Sequence, residues 1–395
     1  MSVSLALAIL LGLLADYLFK KMKLPGLLGM LLVGVLCGPY VFNILQPALL
    51  KVSADLRMVA LIVILLRAGL ELRRDTLNRV GKTALLLAFV PAVFEGCAIA
   101  VLGPKLLNIT YMEAAILGAI LSAVSPAVVV PFMINFIDRK KGTGKGIPTL
   151  MLAGSSVDDV FVIVIFSILL GMGLGNESSI FMQLFEIPES ILFGIGVGAV
   201  GGYILFHVFE RYDLRATKMT IVIIAVSILL NWLEERLKAR VAMSALLGVM
   251  TIGFVLLERS EIRAHKMSAK LSKVWIFAEI LLFVLVGSQV NIEVAWQAGM
   301  AGAALIFIAL IARSIGTFVA LLGTDLNLRE RLFCVIAYIP KATVQAAIGA
   351  VPLEAGIAGG EIILAVAVLS IILTAPLGAI GIMIAGERWL EVEHS

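Results

Sequence analysis

Long apolar stretches, separated by short polar segments, run through the whole chain. A helix needs about 20 predominantly apolar residues to cross a bilayer core, with a range of ~17–25. On that criterion the pattern predicts thirteen transmembrane helices, at 2–18, 25–42, 57–71, 83–103, 112–136, 147–173, 190–209, 217–233, 241–257, 273–290, 295–323, 331–352 and 361–385. The longest polar connections lie near 174–189 and 258–272.

The composition agrees with this pattern. Of the 395 residues, 61% are hydrophobic and 15% charged, whereas soluble domains average roughly 45–50% and about 25%. We therefore expect an all-α polytopic membrane protein with one transmembrane transporter domain over 1–395, and not a soluble enzyme. A net charge of +4 is too small to indicate a nucleic-acid partner. The three cysteines have no CxxC spacing and the three histidines form no cluster, so we expect no cofactor.

Basic residues indicate how the helices are oriented. If loops are numbered in order, the odd loops and the C-terminal tail, with the span ends beside them, carry 22 Lys and Arg residues, and the even loops with their span ends carry 6. Because cytoplasmic loops are enriched in Lys and Arg, the N-terminus is predicted outside and the C-terminus in the cytoplasm. The short loops favour a prokaryotic inner membrane.

Two predicted spans contain an internal proline beside polar groups. The fifth includes the sequence SAVSPAVVVP from Ser122, and the twelfth includes AYIPKATVQ from Ala337. A proline inside a helix removes a hydrogen bond and clashes with the preceding turn. Both spans are fifth in their half if 1–6 and 8–13 form two inverted six-helix repeats, and interrupted helices at matching positions mark a transporter's binding site. Two ordinary proline kinks are the alternative.

Five charged residues are predicted near the middle of the membrane. They come from four spans, and they are Glu95, Asp158, Asp159, Arg313 and Lys341. Charges at this depth cost ~2.5–3.5 kcal/mol on insertion scales, so each is a functional candidate. Their formal charges add up to −1, and one monovalent cation or one proton would neutralise this net charge. This sum favours a cation substrate.

The two aspartates are the predicted binding groups for Na⁺ or Li⁺. Adjacent positions on a helix differ by about 100°, so one carboxylate should face a cavity and the other a neighbouring helix. Ser155 lies one turn before Asp159, and Ser125 and Thr343 offer further oxygens, which hard cations prefer. A buried carboxylate with such neighbours can titrate near neutral pH, so a proton and a metal ion would compete for it.

Structural roles remain open for several of these residues. Asp158 can be a purely structural group, and Glu95 with Arg313 can be a salt bridge that only stabilises the fold. Lys341 can neutralise the carbonyl ends of the broken helices, and Ser125 can be only a kink residue. Glu279, about six residues in from the cytoplasmic end of the tenth span, can line a cytoplasmic funnel or pair with a neighbour.

Four motifs together resemble a known family. GSSVDD, ending at Asp159, is similar to the paired-aspartate signature of sodium/proton antiporters in the monovalent cation:proton antiporter superfamily. The segments LRAGL from Leu66, AVSPAVVVP from Ala123 and PKATVQA from Pro340 resemble its NHA branch. In order along the chain, the four motifs are specific.

The resemblance implies a thirteen-span homodimer in which a mobile core moves against a dimerisation panel. The panel would hold spans within 1–71 and 190–290, and the core spans within 83–173 and 295–385, where two broken helices cross. It also implies that Asp159 is the main ion- and proton-binding carboxylate, with Asp158 beside it. Many bacterial relatives carry a lysine where Arg313 stands here, with Glu95 as its expected partner.

We therefore expect a secondary active Na⁺(Li⁺)/H⁺ antiporter that works by alternating access and serves pH homeostasis. A K⁺/H⁺ antiporter or a sodium-coupled organic-anion transporter of the same architecture is the main alternative. A passive channel would conduct without proton coupling. An intramembrane aspartyl protease is disfavoured, because adjacent aspartates on one helix cannot converge on one water molecule.

Overall fold

The computed structural model describes residues 1–22, 24–71, 74–174, 180–212, 214–237 and 243–392. Regular secondary structure in these ranges is helical, apart from one isolated bridge between Lys141 and Val392. The helices are α1 (Ser2–Lys21), α2 (Gly26–Cys37), α3 (Pro47–Lys51), α4 (Ser53–Glu71), α5 (Arg74–Leu107), α6 (Tyr111–Leu121), α7 (Pro126–Asp138), α8 (Ile147–Gly173), α9 (Ile180–Tyr212), α10 (Ala216–Leu237), α11 (Ala245–Arg259), α12 (Glu261–Ser288), α13 (Ile292–Ala320), α14 (Leu328–Ala337), α15 (Thr343–Ile348), α16 (Val351–Glu354) and α17 (Gly360–Trp389). The fold is therefore the all-helical membrane architecture that the sequence predicts.

Eight of the described helices are long and apolar enough to cross a membrane, and three shorter apolar helices accompany them. Two of the shorter ones are α6 and the apolar part of α7, which follow each other across an interruption. A broken span fails a length criterion because neither half alone supplies about 20 residues. The count of thirteen spans therefore stays a prediction.

The predicted polar connections near 174–189 and 258–272 are shorter in the structure. Helix α9 already begins at Ile180 and α12 at Glu261. The start of α12 is rich in Ala, Lys, Arg and Met, which favour a helix although they are not all apolar. Hydropathy marks where a helix enters the bilayer, whereas helix propensity decides where it begins.

The described chain divides into two compact units. The first comprises Met1–Ser53, Arg79–Gly175 and Leu282–Ser395, and the second comprises Ala54–Asn78 and Asn176–Leu281. In the first unit α17 packs against α13, α14, α6 and α7, and α8 packs against α6 and α7. In the second unit α11 packs against α9 and α10. All the candidate residues except Glu279 belong to the first unit.

The first interruption separates α6 from α7 at residues 122–125. Pro126 is the first residue of α7, where its fixed φ suits a helix start and its missing N–H is not needed. The preceding residue, Ser125, is extended (φ −90°, ψ 110°), because a residue before proline is disfavoured in the helical region. Pro126 thus starts the second half-helix, and Ser125 before it belongs to the interruption.

The second interruption separates α14 from α15 at residues 338–342 and contains Pro340. Helix α14 begins with a capping box, in which Asn327 and Glu330 each bond the other's backbone N–H. Pro340 packs directly against Gly378 of α17, where an added Cβ would overlap the proline ring. The break therefore lies in close backbone contact with the last long helix.

An apolar cluster packs against one half of each broken helix, α7 after the first interruption and α14 before the second. Its buried residues come mainly from α7, α8, α14 and α17, and they include Met133, Phe136, Met151, Phe333 and Ile382. The rings of Phe136 and Phe333 meet edge to face with centroids 5.9 Å apart. This cluster fixes one broken helix against the other close to the interruptions.

Candidate functional site

The two interruptions are hydrogen-bonded to each other. The backbone N–H of Ser125 donates to the carbonyl of Pro340 at 2.8 Å. The Nε2 atom of Gln345 donates to the carbonyls of Ile120 and Ala123, each at 3.0 Å. Backbone groups freed by the breaks are thus satisfied inside the protein, as they must be at membrane depth. Sequence analysis did not single out Gln345.

Arg313 of α13 connects the ends of two half-helices. Its Nε donates to the carbonyl of Tyr338 at 2.7 Å, and its Nη1 donates to the carbonyl of Ser122. These two residues are the C-caps of α14 and α6. A helix C-terminus carries partial negative charge, so Arg313 neutralises both ends. From the sequence, Lys341 was the residue considered for this role.

Lys341 instead pairs with Glu95 of α5. The Oε2 atom of Glu95 accepts from Lys341 Nζ at 2.6 Å and from Arg313 Nη1 at 2.8 Å. The three side chains are at most 2% exposed. The expected pair of Glu95 with Arg313 is therefore present, as part of a three-membered buried network.

Asp158 joins this network from α8. Its Oδ2 accepts from Arg313 Nη2 at 3.2 Å and from the backbone N–H of Val124 at 2.7 Å. Val124 lies in the first interruption, just before the positive N-terminal end of α7. Asp158 thus ties α8 to the break, while its Oδ1 is buried and has no hydrogen-bond partner among the described residues.

Asp159 has a different environment. The residue is 9% exposed, and its Oδ1 is buried with no hydrogen-bond partner in the described part of the chain. No ion pair joins it to a residue in the same ranges, and the formal charges of Glu95 and Asp158 are balanced by those of Arg313 and Lys341. Asp159 therefore supplies the unbalanced negative charge.

Several neutral oxygens near the interruptions are also buried. Ser155 is fully buried and donates its hydroxyl to the carbonyl of Leu152 at 3.2 Å. Four other side-chain oxygens have no hydrogen-bond partner within the described ranges, namely Ser125 Oγ, Thr343 Oγ1, Tyr338 Oη and Gln345 Oε1. Leaving such a group unpaired costs about 1–3 kcal/mol, and a dehydrated cation needs oxygens of this kind. The sequence did not identify Tyr338 and Gln345 as candidates, although both lie within five residues of Pro340.

Glu279 is half-buried on α12, in the second unit. Within the described residues, no group of three or more His, Cys, Asp or Glu side chains is arranged to hold a metal ion. The acidic side chains of the site are Asp158 and Asp159 on α8 and Glu95 on α5, and Glu95 is paired with Arg313 and Lys341.

The chain is similar to known proteins over nearly its whole length. The model of the family described as sodium/hydrogen exchanger, transmembrane, matches residues 5–385. Human sodium/hydrogen exchanger 9B2 is 34% identical over 386 residues, covering 94% of this chain and 71% of that protein. Human sodium/hydrogen exchanger 9B1 is 30% identical over 385 residues, covering 93% and 73%.

A solved structure has a similar fold. The sodium proton antiporter MjNhaP1 from Methanocaldococcus jannaschii, at pH 8, superposes with a TM-score of 0.83 and covers 96% of each chain. At 22% sequence identity, this similarity supports the fold and not a shared activity.

Proposed function

Because the chain belongs to the family of transmembrane sodium/hydrogen exchangers, we propose that it exchanges Na⁺ or Li⁺ for H⁺ at Asp159. As a member of this family it is an integral membrane transporter rather than an enzyme, and it needs no cofactor. Its substrates are cations, and its surroundings are the lipid bilayer.

The unbalanced charge of Asp159 is the observation that carries the proposal. A buried carboxylate with no ion pair in the described part of the chain is costly unless a cation or a proton joins it. One monovalent ion completes the balance, and two would overshoot it. The site therefore holds either one alkali ion or one proton, and their competition couples the two fluxes.

The other residues of the site have supporting roles in this proposal. Asp158, held by Arg313 and Val124, assists from the neighbouring position and offers its free Oδ1. Ser155, Ser125 and Thr343 supply neutral oxygens. Arg313, Glu95 and Lys341 compensate charge and keep the broken helices in register, and Glu279 is proposed to line the cytoplasmic approach.

We infer that transport proceeds by alternating access. A core with spans within 83–173 and 295–385 would move against a panel with spans within 1–71 and 190–290. The two interruptions at matching positions support thirteen spans in two inverted repeats. The protein would act as a homodimer, with its N-terminus outside and its C-terminus in the cytoplasm. The 9B relatives named above are animal proteins. The assignment to a prokaryotic inner membrane is therefore based on the short loops alone.

Exchange in proteoliposomes tests the proposal. An outward Na⁺ gradient should drive proton uptake by the wild type, and Asp159→Asn should abolish it because the shared charge is gone. Asp325→Asn is the matched control, since Asp325 is exposed in the turn after α13, and it should exchange at the wild-type rate. Retained Na⁺-driven proton movement in Asp159→Asn would refute the assignment.

Ion substitution separates the remaining candidates. Exchange supported by K⁺ but not by Na⁺ or Li⁺ would identify a K⁺/H⁺ antiporter of the same architecture. Sodium uptake that requires an organic anion would identify a symporter. A pH gradient that fails to drive uphill Na⁺ movement would indicate a channel.

A further inference from the structure

The hydroxyl of Tyr338 has no structural task in the described residues. The residue is 1% exposed, its carbonyl accepts from Arg313, and its ring lies 5.3 Å from the guanidinium carbon of that arginine. The Oη atom, in contrast, is buried without a hydrogen-bond partner in the described ranges. A phenylalanine would keep every contact of the ring and backbone, and would avoid the cost of an unpaired hydroxyl.

A glycine on α8 makes room for this hydroxyl. A Cβ added to Gly154 would overlap Tyr338 Oη, whereas the ring carbon Cζ and the Cβ of Leu87 would both be 3.4 Å away, an ordinary contact. Gly154 and Asp158 are four residues apart, so they share one face of the helix. The hydroxyl therefore lies against α8, one turn before the aspartate pair.

We propose that Tyr338 Oη is a further ligand of the transported cation, and that it sets the preference for an alkali ion over a proton. This inference rests on the proposed exchange at Asp159. Asp158 Oδ1 and Asp159 Oδ1 are likewise buried without partners in the described part of the chain. From one helical turn away, a phenol oxygen adds lone pairs to the site without adding charge.

A neutral ligand affects the two competing ions differently. A proton needs a single carboxylate oxygen, whereas an alkali ion needs several oxygens to replace its hydration shell. Removal of Oη should thus weaken Na⁺ and Li⁺ binding while the carboxylate still exchanges protons. The maximal rate should persist, because the charge that moves is unchanged.

The first test is Tyr338→Phe in proteoliposomes. We expect KM for Na⁺ and Li⁺ to rise roughly 3–10-fold, the range that one lost polar contact of this kind supports. The maximal rate should stay within about twofold. Tyr17→Phe is the matched control, because Tyr17 is 63% exposed on α1, and its KM should equal that of the wild type.

The second test is suppression. Gly154→Ala should lower both folded yield and exchange, because its Cβ meets the hydroxyl. In Gly154→Ala/Tyr338→Phe the nearest atoms are ordinary contacts, so folded yield should recover while KM stays at the value of Tyr338→Phe. This pairing locates the hydroxyl independently of transport.

Three results would overturn the inference. The first is an unchanged KM in Tyr338→Phe. The second is a loss of maximal rate or of folding in Tyr338→Phe without a change in KM. The third is a folded yield of Gly154→Ala/Tyr338→Phe that is no higher than that of Gly154→Ala. Each differs from failure of the exchange proposal, in which the wild type itself moves no protons with Na⁺ or Asp159→Asn remains active.

Discussion

Five charged residues in the first unit have distinct roles that only their contacts reveal. Arg313 bonds the carbonyls at the ends of two half-helices, Lys341 bonds Glu95, and Asp158 bonds the first interruption. Asp159 remains with an unbalanced charge. A buried charge without its partner is strongly unfavourable, and this cost distinguishes Asp159 from the four paired residues.

Glu95→Gln tests the balanced part. It leaves Lys341 buried without an acidic partner, which should cost about 3–5 kcal/mol of unfolding free energy. The measurement is the thermal unfolding midpoint in detergent, which should fall. Glu95→Gln/Lys341→Met restores the formal charge of the site and should recover much of the loss.

Glu387→Gln is the matched control for this prediction. Glu387 also bonds two cationic side chains, Arg139 and Lys141, but it is 42% exposed. Exposed pairs contribute about 0–1 kcal/mol, so its midpoint should shift little. Equal shifts for Glu95→Gln and Glu387→Gln would contradict a decisive effect of burial on the pair of Glu95 with Lys341.

Among the secondary-structure elements, the two broken helices are those whose interruptions the sequence predicted correctly. Pro126 and Pro340 mark the interruptions, because proline restricts both its own backbone and that of the residue before it. Their mutual hydrogen bonds, from Ser125 and Gln345, join residues more than 200 positions apart. Local preferences carry no information on such pairs.

Gly378→Ala tests the packing of the second interruption. The added methyl would overlap the ring of Pro340, and overpacking of this kind costs about 1–3 kcal/mol. The unfolding midpoint and the exchange rate should both fall. Gly299→Ala on α13 is the control, because nothing lies within 4 Å of its added Cβ, and alanine favours a helix by about 1 kcal/mol over glycine. A loss in Gly299→Ala equal to that in Gly378→Ala would count against the packing argument.

At the scale of the whole molecule, the distribution of Lys and Arg sets the orientation proposed for the chain. The loop at 137–146 carries four of these residues, whereas the loop at 104–111 carries one. The energetic reason is that cytoplasmic loops retain positive charge during insertion. The orientation thus depends on the charges of the connections and not on the ion site.

Cysteine labelling tests this orientation. In a background without Cys37, Cys97 and Cys334, we expect Lys140→Cys to react with a membrane-impermeant maleimide from the cytoplasmic side only. Tyr111→Cys, at a position 68% exposed in the structure, should react from the outside only. Reversed labelling of the two variants would contradict the proposed topology.

The sequence by itself determined the class of fold, the positions of both interruptions and the five charged residues. These features follow from local composition, since hydropathy, proline geometry and the cost of a buried charge act on each segment separately. The four ordered motifs added the family, which the comparisons confirm.

Only the tertiary structure decided which charge is paired with which. The sequence could not tell that Arg313 rather than Lys341 bonds the carbonyl ends, because both are cations at a similar depth. Nor could it show that Gly154 makes space for the hydroxyl of Tyr338. Hydrogen bonds and steric fit change with differences of a few tenths of an ångström in the distance between two segments. Because these segments are far apart in the chain, their distances are set only when the helices pack.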